Sequence, residues 1–411
     1  MFGVLVSFFV LPLFGIHAWL LMGDQGWMSA CAQWVANGAM GNIYQGPFGY
    51  LTLPGFLFLS APIALVGTHL GLVTNYPASL PHPSMWLLMG PFDLVCGAAS
   101  LLGVDYLAKT VGVVGVRRKI LLPALGILFV VPTVVFPGHP EDLLALGLAA
   151  TALAKSLRGR TAWVGFLMAA AMLMQMWAIL ALPVVIASLS SGRRVRAFLH
   201  AVVPPGALGA TLLILDWSHA SFALLTQPSF AKGQELVWWG LSPKVHLVLD
   251  GTSFTGRVGS DSRWMAVAVA VVAAVYVWRR FSPVGAVGAM GVALLARSVF
   301  EVEIWPFYVA PGLVLILVVA LLRCPPKRMA TAAAFCFAAY ACSSGGYAGF
   351  DYAALLATGL LYVSIAGAIV AAFGTAKSAS DGSDNPSGNR LLFPRYSPAG
   401  ERLAARLGAR L

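Results

Sequence analysis

The chain has 411 residues, of which 59% are hydrophobic and 10% charged, with a mean hydropathy of +0.83. That composition excludes a water-soluble globule and describes a polytopic membrane protein. The net charge of +11 reads as a topology signal and as attraction to an anionic leaflet, so the lipid bilayer is the expected partner and no nucleic acid is expected.

A spanning helix needs about 20 apolar residues, and in lipid its backbone groups must satisfy one another. Crossings are therefore expected at 3–22, 85–108, 119–136, 142–157, 161–175, 177–190, 198–216, 263–281, 282–299, 306–323, 329–343 and 352–373. The fold class is accordingly an all-α polytopic bundle of about twelve transmembrane helices within a domain spanning 1–373. Several of these segments are short, which fits tilted or re-entrant elements. The first run, 3–22, lacks the basic flank and cleavage site of a signal peptide and is read as a helix. Between it and the second crossing lies an outer loop, 23–84, which carries Gly23-Asp24-Gln25-Gly26 and an apolar stretch, 51–73, expected to form a re-entrant or interfacial hairpin. A second outer loop, 217–262, is rich in Trp and polar residues, and its Leu236-Val237-Trp238-Trp239 run suits a surface helix. The tail, 374–411, mixes Ser, Gly, Asp and Asn with spaced arginines and reads as disordered and basic, with a short amphipathic helix possible only from Pro398 onward.

Most of the 26 basic residues fall in a few clusters: Lys109 with Arg117, Arg118 and Lys119; Lys155 to Arg160; Arg193 to Arg196; Arg279 and Arg280; Arg323 to Arg328; and the tail. Cytoplasmic loops retain positive charge, so these loops and both termini are assigned to the cytoplasm. Ten of the fifteen acids fall on the other side: Asp24, Glu141, Asp142, Asp216, Glu235, Asp250, Asp261, Glu301, Glu303 and Asp351. Any chemistry is therefore expected at the extracytoplasmic face. Asp24, Glu141, Asp142, Glu301 and Glu303 stand at helix boundaries, where an unpaired charge is expensive.

Cys31, Cys96, Cys324, Cys336 and Cys342 show neither a CxxC pair nor a histidine at metal spacing, so no structural metal is expected. No phosphate-binding glycine loop precedes a helix, so nothing supports a nucleotide-driven pump or a cytoplasmic nucleotide-binding domain. The strongest constellation is Gly138-His139-Pro140-Glu141-Asp142, where Pro140 opens a helix and the acids occupy its first turn. It places three ionisable groups in four residues between membrane helices. A later segment, Gln175-Met176-Trp177 followed by Pro183, enters another helix.

This order of motifs resembles the GT-C superfamily of membrane glycosyltransferases. It is most similar to the polyprenyl-phosphate-mannose-dependent, glycosyltransferase family 87-like, group and to the phosphatidylinositol-glycan mannosyltransferases. Asp24 stands where the family has an Asp after its first helix, and Tyr44, Tyr50 and Pro54 stand at its later Tyr/Pro element. Pro91-Phe92-Asp93-Leu94 resembles its second-span pattern, His139 to Asp142 its Gly-Asn-x-Asp-like turn, and Glu303-Ile304-Trp305-Pro306-Phe307-Tyr308 its late aromatic segment. The likeness covers about residues 10–320. Two departures are Gln175, where such enzymes often carry a phosphate-binding Lys, and the absence of a His pair in the aromatic segment.

The resemblance implies an inverting transferase that moves a sugar, mannose or another hexose or pentose, from a polyprenyl-phosphate donor to a lipid or cell-envelope glycan acceptor. Asp24 would be the base. Tyr50, His139, Glu141, Asp142 and Gln175 would surround the substrates, and Trp177, Trp305 and Tyr308 would stack on sugar or line the prenyl groove. Arg297 would meet the phosphate and Glu301 and Glu303 would join the substrate-binding residues, although a one-turn pairing of Arg297 with Glu301 is the simpler structural role. No cofactor or divalent metal is demanded, since the lipid-phosphate sugar is a co-substrate. A transporter or lipid-linked glycan flippase is the competing class, but the chain shows no internal repeat of the kind such carriers carry.

Overall fold

The structure is a computed structural model that describes residues 23–45, 50–74, 84–125, 129, 133–134, 138–227, 234–235, 241–249, 252–258, 260–343 and 352–374. The 3–22 crossing, the Trp238-Trp239 run and the tail from 375 onward lie outside the described residues.

The molecule is helical and membrane-like. In chain order the α-helices are α1 Gly23–Ala36, α2 Gly55–His69, α3 Trp86–Thr110, α4 Gly115–Leu125, α5 Pro140–Leu157, α6 Val164–Met174, α7 Leu182–Ala187, α8 Ser191–Leu215, α9 Trp217–Ser221, α10 Ser260–Arg279, α11 Pro283–Phe300, α12 Pro306–Arg323, α13 Pro326–Ser343 and α14 Tyr352–Phe373. Among the described residues six are long and apolar enough to cross a membrane: α3, α8, α10 from Ser262, α11, α12 and α14 from Leu355. That makes the chain a multi-pass membrane protein, while the other expected crossings fall on shorter or more polar helices or outside the described residues. Helix α5 is 18 residues long but carries Glu141, Asp142 and Lys155.

Four local expectations change. Residues 23–26, read as loop, form the first turn of α1, whose next stretch, Met28, Ser29, Ala30, Cys31 and Ala32, is buried all round the helix. The expected hairpin over 51–73 is one helix, α2, started after Pro54 and tolerating Pro62 within it. The segment 161–190, expected as a pair of short crossings meeting near residue 176, consists of short helical pieces. It breaks at Gln175, whose extended backbone (φ −150°, ψ 124°) separates α6 from a 3₁₀ turn, Met176–Leu180, and then α7. The outer loop 217–262 contains strands as well: β1 Gln234–Glu235, β2 Lys244–Leu249 and β3 Thr252–Arg257. Strand β2 pairs antiparallel with β3, and β1 pairs with β4, Glu303–Ile304, so Glu235 lies opposite Glu303 in register.

Helices α3 and α5 approach backbone to backbone. A Cβ on Gly103 would come within 2.1 Å of the Gly147 carbonyl oxygen, and one on Gly147 within 2.6 Å of Ser100 Cα. Close approach of this kind is how membrane helices gain contact where the solvent is itself apolar. It also sets the position of the α5 N-terminus. The core around these helices is almost wholly aliphatic, with Leu107, Leu146, Leu153, Leu313 and Ile316 all fully buried or nearly so. Each of α5, α11 and α12 has one end near the His139–Asp142 turn, and Lys155, Arg280 and Arg323 lie at or just beyond the opposite ends.

Candidate functional site

Four chain segments converge on one buried ionic cluster: the start of α5, the 3₁₀ turn after Gln175, the end of α11 and the start of α12. Gly138 adopts φ +74°, a conformation that favours glycine, and His139 follows it with its amide donating to the Thr133 carbonyl at 3.1 Å. Pro140 then begins α5, which places Glu141 and Asp142 in the first turn, where the helix dipole favours negative charge. Opposite them, Arg297 lies in the last turn of α11, where the same dipole favours a cation. The two helix ends thus present complementary charge to each other.

Glu141 and Asp142 are 2% and 1% exposed. His139 Nδ1 lies 2.6 Å from Glu141 Oε1 and 3.7 Å from Asp142 Oδ2. The imidazole stacks on Phe307 with centroids 3.8 Å apart, Phe307 continues the stack to Trp305 at 6.0 Å, and Tyr308 stands edge-on to Phe307 at 4.8 Å. Trp177 Nε1 donates to Asp142 Oδ1. Gln175 Nε2 reaches Asp142 Oδ2 at 3.4 Å and Glu141 Oε1 at 3.5 Å. The Arg297 guanidinium lies over the Tyr308 ring at 3.5 Å and 3.8 Å from Asp142 Oδ1. That is a desolvated cation–π contact of the stronger kind. Three buried polar atoms here have no hydrogen-bond partner: Glu141 Oε2, Arg297 Nη1 and the Tyr50 hydroxyl. Tyr50 is within electrostatic reach of Glu141, Asp142 and Cys31, which ties the α1 segment to the cluster.

The structure therefore brings together His139, Glu141, Asp142, Gln175, Trp177, Arg297 and Tyr308, with Tyr50 at the edge. Glu301 and Glu303 sit beside this group with partners of their own. Arg263, at the start of α10, holds Glu301 through Nη2 at 2.7 Å and Nε at 2.9 Å, so the expected Arg297–Glu301 pairing is replaced. Trp305 Nε1 donates to Glu303 Oε1 at 2.7 Å. Asp24 stands in the first turn of α1 and its side chain lies outside the described set.

Sequence reasoning missed Arg263, which also binds the Gln227 carbonyl at 3.1 Å. Gln227 adopts φ +43°, and a second hydrogen bond, from its amide nitrogen to the Leu51 carbonyl at 3.2 Å, helps hold it there. One signal was present in the sequence: Arg263 and Arg297 both stand outside the basic clusters, on the side where the acids gather.

Comparison with protein-family models, curated proteins and solved structures finds no match. Fold and site together define a multi-pass helical membrane protein with a buried carboxylate–imidazole–guanidinium centre at one end of its helices.

Proposed function

We propose that this protein is a GT-C-type membrane glycosyltransferase, transferring a sugar, mannose or another hexose or pentose, from a polyprenyl-phosphate donor to a lipid or cell-envelope glycan acceptor. In this reading the bundle has about twelve crossings once the shorter helices and 3–22 are included, both termini are cytoplasmic, and the site faces the extracytoplasmic side. The observation that carries the proposal is the buried pairing of Asp142, beside Glu141, with Arg297, whose Nη1 has no hydrogen-bond partner. Intramembrane ionisable groups of this kind mark functional sites, and a guanidinium with a donor to spare suits a phosphate oxygen.

The surroundings fit the rest of such a substrate. The Trp305–Phe307–His139 stack offers aromatic faces to a sugar ring. An open groove of about 390 Å³ between α3 and α5, lined by Leu102, Gly103, Leu144 and Leu148 among others, begins close to the acids and is mostly apolar, which suits a prenyl chain. In the transfer the acceptor oxygen attacks the anomeric carbon, the bond from that carbon to the phosphate oxygen breaks, and the polyprenyl phosphate leaves with the electron pair. The acceptor proton passes to a carboxylate. We assign that base to Asp24, with Glu141 and Asp142 orienting hydroxyls. The basic residues at the helix ends opposite the site support the outward-facing orientation.

The test is transfer of radiolabelled sugar from a panel of polyprenyl-phosphate donors in membranes carrying wild type, Asp24→Asn or Arg297→Gln at matched expression. Transfer by wild type that falls at least about 100-fold in both variants is the expected result. Transfer unchanged in Asp24→Asn would move the base to Glu141, Asp142 or Glu303. No transfer from any donor would favour the carrier reading.

A further inference from the structure

We infer that His139, Glu141 and Asp142 form a binding site for a divalent transition-metal cation, an inference that stands independently of the proposed sugar transfer. One ligand atom from each residue lies within 4.8 Å of the others, and a small inward shift brings the set to the roughly 3.5 Å ligand spacing of a tetrahedral ion with bonds of about 2.0–2.2 Å. Close spacing of acids alone would not suffice. What points to a ligand is that the Glu141 carboxylate, 2% exposed, keeps Oε2 buried with no hydrogen-bond partner. A buried carboxylate oxygen left unpaired is strongly disfavoured unless something is bound there. Tyr50, 4% exposed, carries a second buried hydroxyl without a hydrogen-bond partner.

The outer contacts are those of a metal centre. Trp177 Nε1 and Arg297 Nη1 both approach Oδ1 of Asp142, leaving Oδ2 toward His139. Phe307 fixes the imidazole plane by stacking, and Gln175 reaches across both carboxylates. Outer-shell partners of this kind orient the ligands and tune affinity. The charges also point to a cation, because two carboxylates against Arg297 leave one buried negative charge when His139 is neutral. One imidazole with two carboxylates selects manganese or zinc over magnesium or calcium, which take oxygen ligands alone.

The test uses the full chain purified in detergent, stripped with chelator and titrated with MnCl2 or ZnCl2. Metal per chain is read by elemental analysis and thermal stability by melting. One ion per wild-type chain is expected, with a rise in Tm and weaker response to MgCl2. Glu141→Gln and Asp142→Asn should each weaken binding at least about 100-fold, and Trp177→Phe, which removes only an outer contact, by about 10-fold. Should either ligand variant fail to fold, His139→Gln, at the more exposed edge, replaces it and should lose binding likewise. Wild type that retains no ion and shows no shift with either metal overturns the site, as does unchanged binding in all three ligand variants.

Discussion

Arg263 and Arg297 show how the partner of a charge decides what that charge is for. Arg263 is committed to Glu301 through two nitrogens, and Glu301 is only 4% exposed. Removing the guanidinium would leave a buried carboxylate without its counter-ion, a change that costs about 3–5 kcal/mol when a buried pair is broken on one side. Arg263→Met should therefore lower the detergent-solubilised Tm clearly, and the double change Arg263→Met with Glu301→Leu should recover most of the loss. A Tm for Arg263→Met equal to wild type would show that the pair is not structural. Arg297 is different because its nearest carboxylate is 3.8 Å away and its other contact is the Tyr308 ring. Arg297→Lys keeps the charge but loses the planar fork that stacks and bonds phosphate in two places. It should lower transfer by at least about 10-fold with little change in Tm, read by the same radiolabel assay. The His139–Asp142 turn was legible from sequence because a Pro-opened helix with two acids is a local pattern. Its meeting with Trp177 and Arg297 was not, since those contacts depend on how distant helices pack.

At the scale of elements, α5 is positioned by glycine. Gly147→Leu would drive a side chain into Ser100 of α3, separating the helices and displacing the acids at the α5 N-terminus. The expected outcome is loss of monodisperse protein in size-exclusion chromatography. The control is Gly359→Ala in α14, where a Cβ meets nothing within 4 Å. There the change should be neutral or stabilising by about 0.5–1 kcal/mol, because alanine loses less conformational freedom on folding. The break at Gln175 belongs to the same scale. Hydropathy through 161–190 is continuous enough to read as two crossings, and only the structure shows that an extended residue turns the chain so that Trp177 faces Asp142. Hydropathy reports what a segment can be buried in, but it does not see a single residue leaving the helix. The α1 and α2 helices were misread for the opposite reason: Gly, Asp and Pro signal turns locally, while burial of Met28, Cys31, Phe56 and Leu57 outweighs that signal.

At the scale of the whole molecule, the long apolar helices α3, α11 and α12 were legible to within a few residues, because length and hydropathy in lipid leave little choice, whereas α8 begins at Ser191, ahead of the expected 198, because its first turns are basic. The strands β2 and β3 in the outer segment were not, as short polar hairpins carry no such constraint. The orientation is testable through single cysteines, since Cys31, Cys96, Cys324 and Cys336 are buried and replacing the half-buried Cys342 by Ser leaves low background. Leu241→Cys, 73% exposed, should react with an impermeant maleimide in intact cells. Gly192→Cys, exposed beside the arginines of α8, should react only after permeabilisation, and the reverse pattern would invert the molecule. The central claim, that the buried acids and Arg297 form the transfer site, is tested most directly by reconstituting the purified protein with a polyprenyl-phosphate sugar and comparing wild type with Asp142→Asn, a near-isosteric change. The account predicts sugar transfer by wild type and a fall of at least about 100-fold in the variant at equal folded protein. Equal transfer by both would contradict it.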